Sequence, residues 1–188
     1  MKIQNLVMSL IAVGMVAVAT RAVYADPAGS ATAHVFLQVN PNIAVQAIDA
    51  NLNLGTLQTG DVSLPITFRI DANTEAVSIA GLVTDLYKGD DPTNKDVAPI
   101  VVDLSRGFPI NPTNAHQLAG GSGIANYLDQ LDFNGYNSHS TELLTFESSQ
   151  NGHFSQDVFV SPSWLNTDNE KPQGEYSGFV VLFSSIVD

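Results

Sequence analysis

From Val62 to Ile70 apolar and other residues alternate without a break. Val62, Leu64, Ile66, Phe68 and Ile70 fall on one side; Ser63, Pro65, Thr67 and Arg69 fall on the other. A period of two is the signature of a half-buried strand, because successive side chains point to opposite faces. Pro65 has no amide donor, which predicts an edge or a bulge along this strand. Shorter segments repeat the theme. Ala33 to Val39 alternates, with Ala33, Val35, Leu37 and Val39 on one face, and stops at the turn signal Asn40-Pro41-Asn42. Ile43 to Ile48, Ala76 to Tyr87, Val97 to Leu104, Glu142 to Phe146 and His153 to Val160 read as further strands, the last with Phe154, Val158 and Val160 on one side. The chain closes with a strand after Gly174. Between them, 51–60, 88–96, 106–123, 132–140 and 161–173 read as loops, the last holding the only tryptophan, Trp164. Ile124, Tyr127, Leu128 and Leu131 are spaced for one short helix behind a cap at Ser122. Several strands and almost no helix predict an all-β chain, a β-sandwich and not a parallel α/β sheet.

The first residues carry a different signal. Lys2 precedes an apolar stretch from Leu6 to Ala19, which ends in Arg21-Ala22-Val23-Tyr24-Ala25. Small residues at the two positions before a cut, after a short apolar core, mark a signal peptide over 1–25. The stretch falls short of the roughly 18–20 apolar residues of a membrane span. Cleavage leaves 163 of the 188 residues, enough for one domain with a full core. Lys2 and Arg21 leave with the signal and no acid does, so the formal charge moves from −12 to −14. Such a surface repels nucleic acid and anionic headgroups, and no later segment is long and apolar enough to cross a bilayer, so neither nucleic acid nor stable membrane insertion is expected. With no cysteine, thiolate metal sites and cysteine catalysis are excluded, and an exported domain must rely on its core or on partners.

Catalytic patterns are absent. His34, His116, His139 and His153 show no metal-binding spacing. Ser138 and His139 are adjacent, which on a strand points them to opposite faces, and no G-x-S-x-G elbow occurs. Gly120-Gly121-Ser122-Gly123 lacks the lysine of a phosphate loop. Asp90, Asp91 and Asp96, and the segment Asp129, Asp132, Asn134, lack the spacing of a calcium loop and read as solvated turns. No carboxylate pair is singled out among the 19 acids. The expectation is no enzyme, no metal and no obligatory cofactor.

The two ends are more informative. Phe179 to Phe183 is apolar on both faces, with Val180 and Leu182 on one and Phe179, Val181 and Phe183 on the other. Left as an open edge, such a strand invites aggregation, so something should cover it. Ala33 to Val39 follows a small, polar leader over 26–31 and offers alternating plugs. The alternation leaves two readings: both strands belong to one closed sandwich, or the first is lent to another molecule by strand addition.

Gly174-Glu175-Tyr176-Ser177-Gly178-Phe179-Val180-Val181-Leu182 resembles the closing G-x-Y-x-G-x-V strand of chaperone–usher pilins. Val35 to Pro41 followed by Ile43-Ala44-Val45 is similar to the opening of the alpha-class, colonisation-factor type fimbrial major subunits. Ala98-Pro99-Ile100-Val101-Val102 and Ser155-Gln156-Asp157-Val158-Phe159-Val160 resemble two internal strands of that family. Asn40 stands where the family usually has Asp, and Phe36 and Leu37 are bulkier than its usual residues. The resemblance implies an incomplete immunoglobulin-like sandwich over 41–188, completed by a donor strand in 26–40 of another subunit. Ala33, Val35, Leu37 and Val39 would be the donor plugs. Tyr176, Gly178, Val180, Leu182 and Ile186 would line the acceptor groove. The implied partners are identical or related pilin subunits, a periplasmic chaperone and an outer-membrane usher, and the implied product is a cell-surface fimbria for adhesion or biofilm. The alternatives are a monomeric carbohydrate-binding sandwich stacking sugars on Trp164 or Tyr136, and a hydrolase with an unmarked site.

Overall fold

Pro65 is where the longest alternating run divides. The computed structural model describes residues 34–120 and 133–187; it falls into two units, 1–39 and 40–188. The signal peptide, Ala33 and the helix expected at 124–131 lie outside the described residues. Every regular element among the described residues is a strand: β1 (Ile43–Ala47), β2 (Gly60–Ser63), β3 (Ile66–Ala72), β4 (Ala76–Thr84), β5 (Tyr87–Lys88), β6 (Val101–Val102), β7 (Ile110–Pro112), β8 (Ala115–Ala119), β9 (Ser138–Ser140), β10 (Leu144–Ser148), β11 (Phe154–Val160), β12 (Ser163–Asn166), β13 (Tyr176–Ser177) and β14 (Val180–Ile186). The chain is all-β and sandwich-like, as the alternation predicts.

The strand expected over Val62–Ile70 is two strands. β2 pairs with β12, whereas β3 lies between β1 and β11. A proline cannot donate to a ladder, so the chain changes sheets at Leu64-Pro65 and does not carry Pro65 along an edge. Other expectations need correction. The loop expected at 106–123 holds β7 and β8, the one at 132–140 holds β9, which pairs with β4, and the one at 161–173 holds β12. Conversely, the strand expected from Val97 to Leu104 pairs only at β6 and through a single bridge from Ile100 to Leu86.

The first sheet runs β1-β3-β11-β7 and the second β14-β4-β10-β8, all pairs antiparallel; β9 also pairs with β4. A small sheet, β2-β12-β6, and the pair β13-β5 complete the fold. Ile66, Phe68 and Ile70 of β3 and Phe154, Val158 and Val160 of β11 meet Val77, Ile79 and Val83 of β4 and Leu144 and Phe146 of β10 in one core. Each such side chain, fully buried, contributes about 1.5–3 kcal/mol. The strict alternation of burial along β3 and β11 follows from having one face on this core.

The inward face of β11 has one polar member, Gln156, which is buried. Its Nε2 donates to the Asn114 carbonyl at 2.7 Å and to Ser148 Oγ at 2.8 Å, and its Oε1 accepts from the Asn114 amide at 2.7 Å. Asn114 lies between β7 and β8, where the chain passes from the first sheet to the second. Gln156 therefore ties the corner that closes one side of the sandwich to the core. Replacing it strands a backbone amide and carbonyl in partly buried surroundings. Gln156→Ala and the nearly isosteric Gln156→Leu are both expected to lower stability by about 2–4 kcal/mol, read as the shift of a urea unfolding curve; an unchanged midpoint for Gln156→Leu would show that the corner is held by the rest of the core.

Candidate functional site: the seam between β1 and β14

On the side of the sandwich opposite the β7–β8 corner, no segment among the described residues connects the two edge strands. There β1 and β14, the outermost strands of their sheets, lie against each other without pairing. Register fixes which side chains face inward. Ile43, Val45 and Ala47 sit opposite Ala72, Ile70 and Phe68, the core face of β3. Val180, Leu182, Ser184 and Ile186 sit opposite Val83, Gly81, Ile79 and Val77 of β4. A Cβ placed on Gly81 would touch Ile110 and Val160 of the other sheet, which confirms that this set faces the core.

Inward-facing residues are normally buried, and several here are not. Val45 is 39% exposed, Ala47 is exposed, and Val180, Ser184 and Ile186 are half-buried. Only Leu182 of this set is buried. The seam is thus a shallow apolar trough with β1 and β14 as its walls, and neither IAVQA nor VVLFSSI carries a charge.

The β14 backbone is also half used. The Thr84 amide donates to the Phe179 carbonyl at 3.0 Å, and the Val187 amide to the Ala76 carbonyl. Odd-numbered residues therefore direct their backbone groups to β4. By the alternation of an antiparallel ladder, Val180, Leu182, Ser184 and Ile186 direct theirs to the open edge. The same four positions contribute side chains to the trough and backbone donors and acceptors to its rim. Ser184 Oγ is enclosed without a hydrogen-bond partner among the described residues.

Local chemistry sets where β14 begins. Thr84 Oγ1 accepts from the Phe179 amide at 2.8 Å, and the Thr84 carbonyl accepts from Trp164 Nε1 at 2.9 Å. Gly178 passes so close to β4 that an added Cβ would fall 2.6 Å from the Asp85 carbonyl and from Thr84 Oγ1. Only glycine fits that approach. Beneath it the buried Asp85 carboxylate accepts from the Val102 amide at 2.9 Å and Asn137 Nδ2 at 2.7 Å, with His139 Nε2 at 3.5 Å. Thr84 and Asp85 were not singled out by the sequence, although a Thr-Asp pair ending an apolar run is a visible cue.

Of the expected acceptor residues, Val180, Leu182 and Ile186 lie together on the inward face of β14. Tyr176 is on β13 opposite Lys88, with its hydroxyl donating to the Pro172 carbonyl, and Gly178 lies between the two strands. The sequence reading omitted Ser184 and the β1 wall of Ile43, Val45 and Ala47; the alternation of Ile43-Ala44-Val45-Gln46-Ala47 after Asn40-Pro41-Asn42 was the signal for the latter. Of the expected donor plugs, Ala33 lies outside the described residues. Residues 34–39 form no strand, and Val35, Leu37 and Val39 are 84%, 89% and 71% exposed.

The aromatic platforms imagined for sugar stacking are not on the surface. Trp164 is buried among core residues. Tyr136 is buried too; it packs edge-on against Tyr87 and Phe179 and donates to the Asp90 carbonyl and, at 2.6 Å, to Asp90 Oδ1. Asp90 Oδ1 also accepts from Ser177, and Asp91 Oδ1 from the Thr93 amide and hydroxyl. No three metal-ligating side chains converge among the described residues.

Burial, then the Asp90 hydrogen bond and the charges of Asp90 and Asp91, push the Tyr136 hydroxyl from its ordinary value near 10 up to about 12. The unfolded chain releases this proton near 10 while the folded chain keeps it. The contribution is therefore full below about pH 10 and is lost as pH rises through 12. Phenolate absorbance should show Tyr136 titrating late, with Tyr176 also delayed by its burial and by Asp168, and Tyr136→Phe should remove the Tyr136 step and flatten the fall of melting temperature between pH 10 and 12. A scan against protein-family models matches none, and a search of curated proteins finds no match.

Proposed function

We propose that the chain is a structural pilin subunit that polymerises by donor-strand complementation. In this reading the body is an incomplete immunoglobulin-like sandwich. The segment Ala33–Val39 of one copy adds to the open edge of β14 in another, with Ala33, Val35, Leu37 and Val39 filling the trough above Val180, Leu182, Ser184 and Ile186. A periplasmic chaperone occupies the trough before assembly, an outer-membrane usher orders the exchange, and the product is a cell-surface fimbria serving adhesion or biofilm. Residues 1–25 act as the export signal. No catalysis is assigned.

The observation that carries the reading is Val45, an inward-facing core position that remains 39% exposed opposite the unpaired edge of β14. A closed sandwich has no reason to leave that position open. The dimensions agree: Ala33–Val39 spans as many residues as β14, which has 7. Four plugs supply roughly 5–10 kcal/mol of gross apolar burial, less for Ala33, before ladder hydrogen bonds are added and the ordering of the arm is subtracted.

Deleting residues 26–39 removes the donor and keeps the acceptor. The shortened chain should form no filaments under electron microscopy, yet bind a synthetic 33–39 peptide with a rise in melting temperature. Leu182→Asp should abolish that peptide binding. Filaments from the shortened chain, or a full-length mature chain that stays monomeric at high concentration, would overturn the reading.

A further inference from the structure

The bend between β3 and β4 contains Asn73, which makes three hydrogen bonds to one tripeptide. Its Oδ1 accepts from the Asn42 amide at 2.6 Å, its Nδ2 donates to the Asn40 carbonyl at 3.0 Å, and its own amide donates to the Asn42 carbonyl at 3.2 Å. The regular ladder between β1 and β3 starts next door, at Ile43 opposite Ala72. Asn73 extends that ladder by one step, using its side chain in place of a second strand residue. The groups it holds flank Pro41, whose ring fixes its own φ near about −65° and which has no amide to compete.

A carboxamide suits this position for a chemical reason. It presents one acceptor and two donors on a short stem. An aspartate keeps the acceptor and loses the donor. An alanine loses both.

We infer that Asn73 is a positioning residue for the filament: by clamping Asn40-Pro41-Asn42 it sets the angle between successive subunits. The inference rests on the polymer reading above. In such a polymer the donor segment is paired along the next copy, and the ladder of its own body starts at Ile43. The covalent bridge between the two is then Asn40-Pro41-Asn42, a span of at most about 10 Å when fully extended. Any swivelling between bodies that passes through the backbone must use the dihedrals of these residues. Asn73 and the Pro41 ring together remove most of that freedom. A bridge held in this way transmits orientation from one copy to the next, whereas an unheld one works as a loose joint.

The test compares filaments of the full mature chain with those of Asn73→Ala and Asn73→Asp, imaged by electron cryomicroscopy. Persistence length and the spread of subunit-to-subunit rotation are the readouts, with the melting temperature of each chain measured alongside. Asn73→Ala is expected to polymerise, with persistence length reduced at least about twofold and a broader rotation spread, because both side-chain hydrogen bonds to the bridge are gone and only the backbone bond to the Asn42 carbonyl remains. Asn73→Asp should fall between it and the parent. A role limited to folding would lower the melting temperature and yield but leave the geometry of the filaments that form unchanged, and that result overturns the inference. If Asn73→Ala does not fold, Asn73→Asp decides alone: parental stiffness and rotation overturn the inference, loosened ones support it. Failure of the unsubstituted chain to form filaments removes the polymer reading, and this inference with it.

Discussion

A sandwich of two sheets has two sides to close, and this chain closes one of them covalently. At the β7–β8 corner the backbone crosses from sheet to sheet within Thr113-Asn114, and Gln156 reaches from the core to hold that crossing. On the other side the chain crosses only between the inner strands β3 and β4, and among the described residues no segment joins the edge strands β1 and β14. The inward residues of β1 and β14 face a core that they only partly cover, and the outer backbone groups of β14 meet no strand among the described residues. Backbone donors and acceptors are costly to leave without partners away from water, so the edge either stays wet or is paired from outside. The rest of the molecule surrounds that unresolved seam: Thr84 and Gly178 fix where β14 starts, and the core behind Leu182 fixes which way it faces.

Much of this was legible in the sequence, and the reason is period two. Val180 and Leu182 against Val181 and Phe183, and the buried set of β3, follow directly from alternation. The placement of Val180, Leu182 and Ile186 on one face needed no structure. Where reading failed, the deciding interactions were non-local. Val62–Ile70 looks like one strand because alternation continues through Pro65; only the partners, β12 for one half and β11 for the other, divide it. Ser163–Asn166 looked like loop because its apolar residues are few; its strand character comes from lying between β2 and β6. Gln156 was passed over because polar residues are usually written onto the outer face, and nothing local signals that Asn114 and Ser148 will converge on it.

The acceptor wall on β1 was missed for a related reason. Ile43, Val45 and Ala47 alternate plainly enough, but exposure of an inward-facing strand is a property of the whole assembly of sheets. Tyr176 and Gly178 show the converse. They belong to the sequence run that ends in β14, yet Tyr176 pairs with β5 and Gly178 passes close against Thr84 and Asp85 before β14 begins, so the run is broken there.

The seam also lacks charge altogether. Neither of its walls holds an acid or a base, although the whole chain carries a formal charge of −12. Any strand that seats there is therefore judged on bulk and shape, with no ionic password. Discrimination of that kind is graded: one methylene too many or too few is worth about 1–3 kcal/mol. A trough built this way tolerates close cousins of its proper occupant and rejects strangers mainly by how badly their side chains fill it.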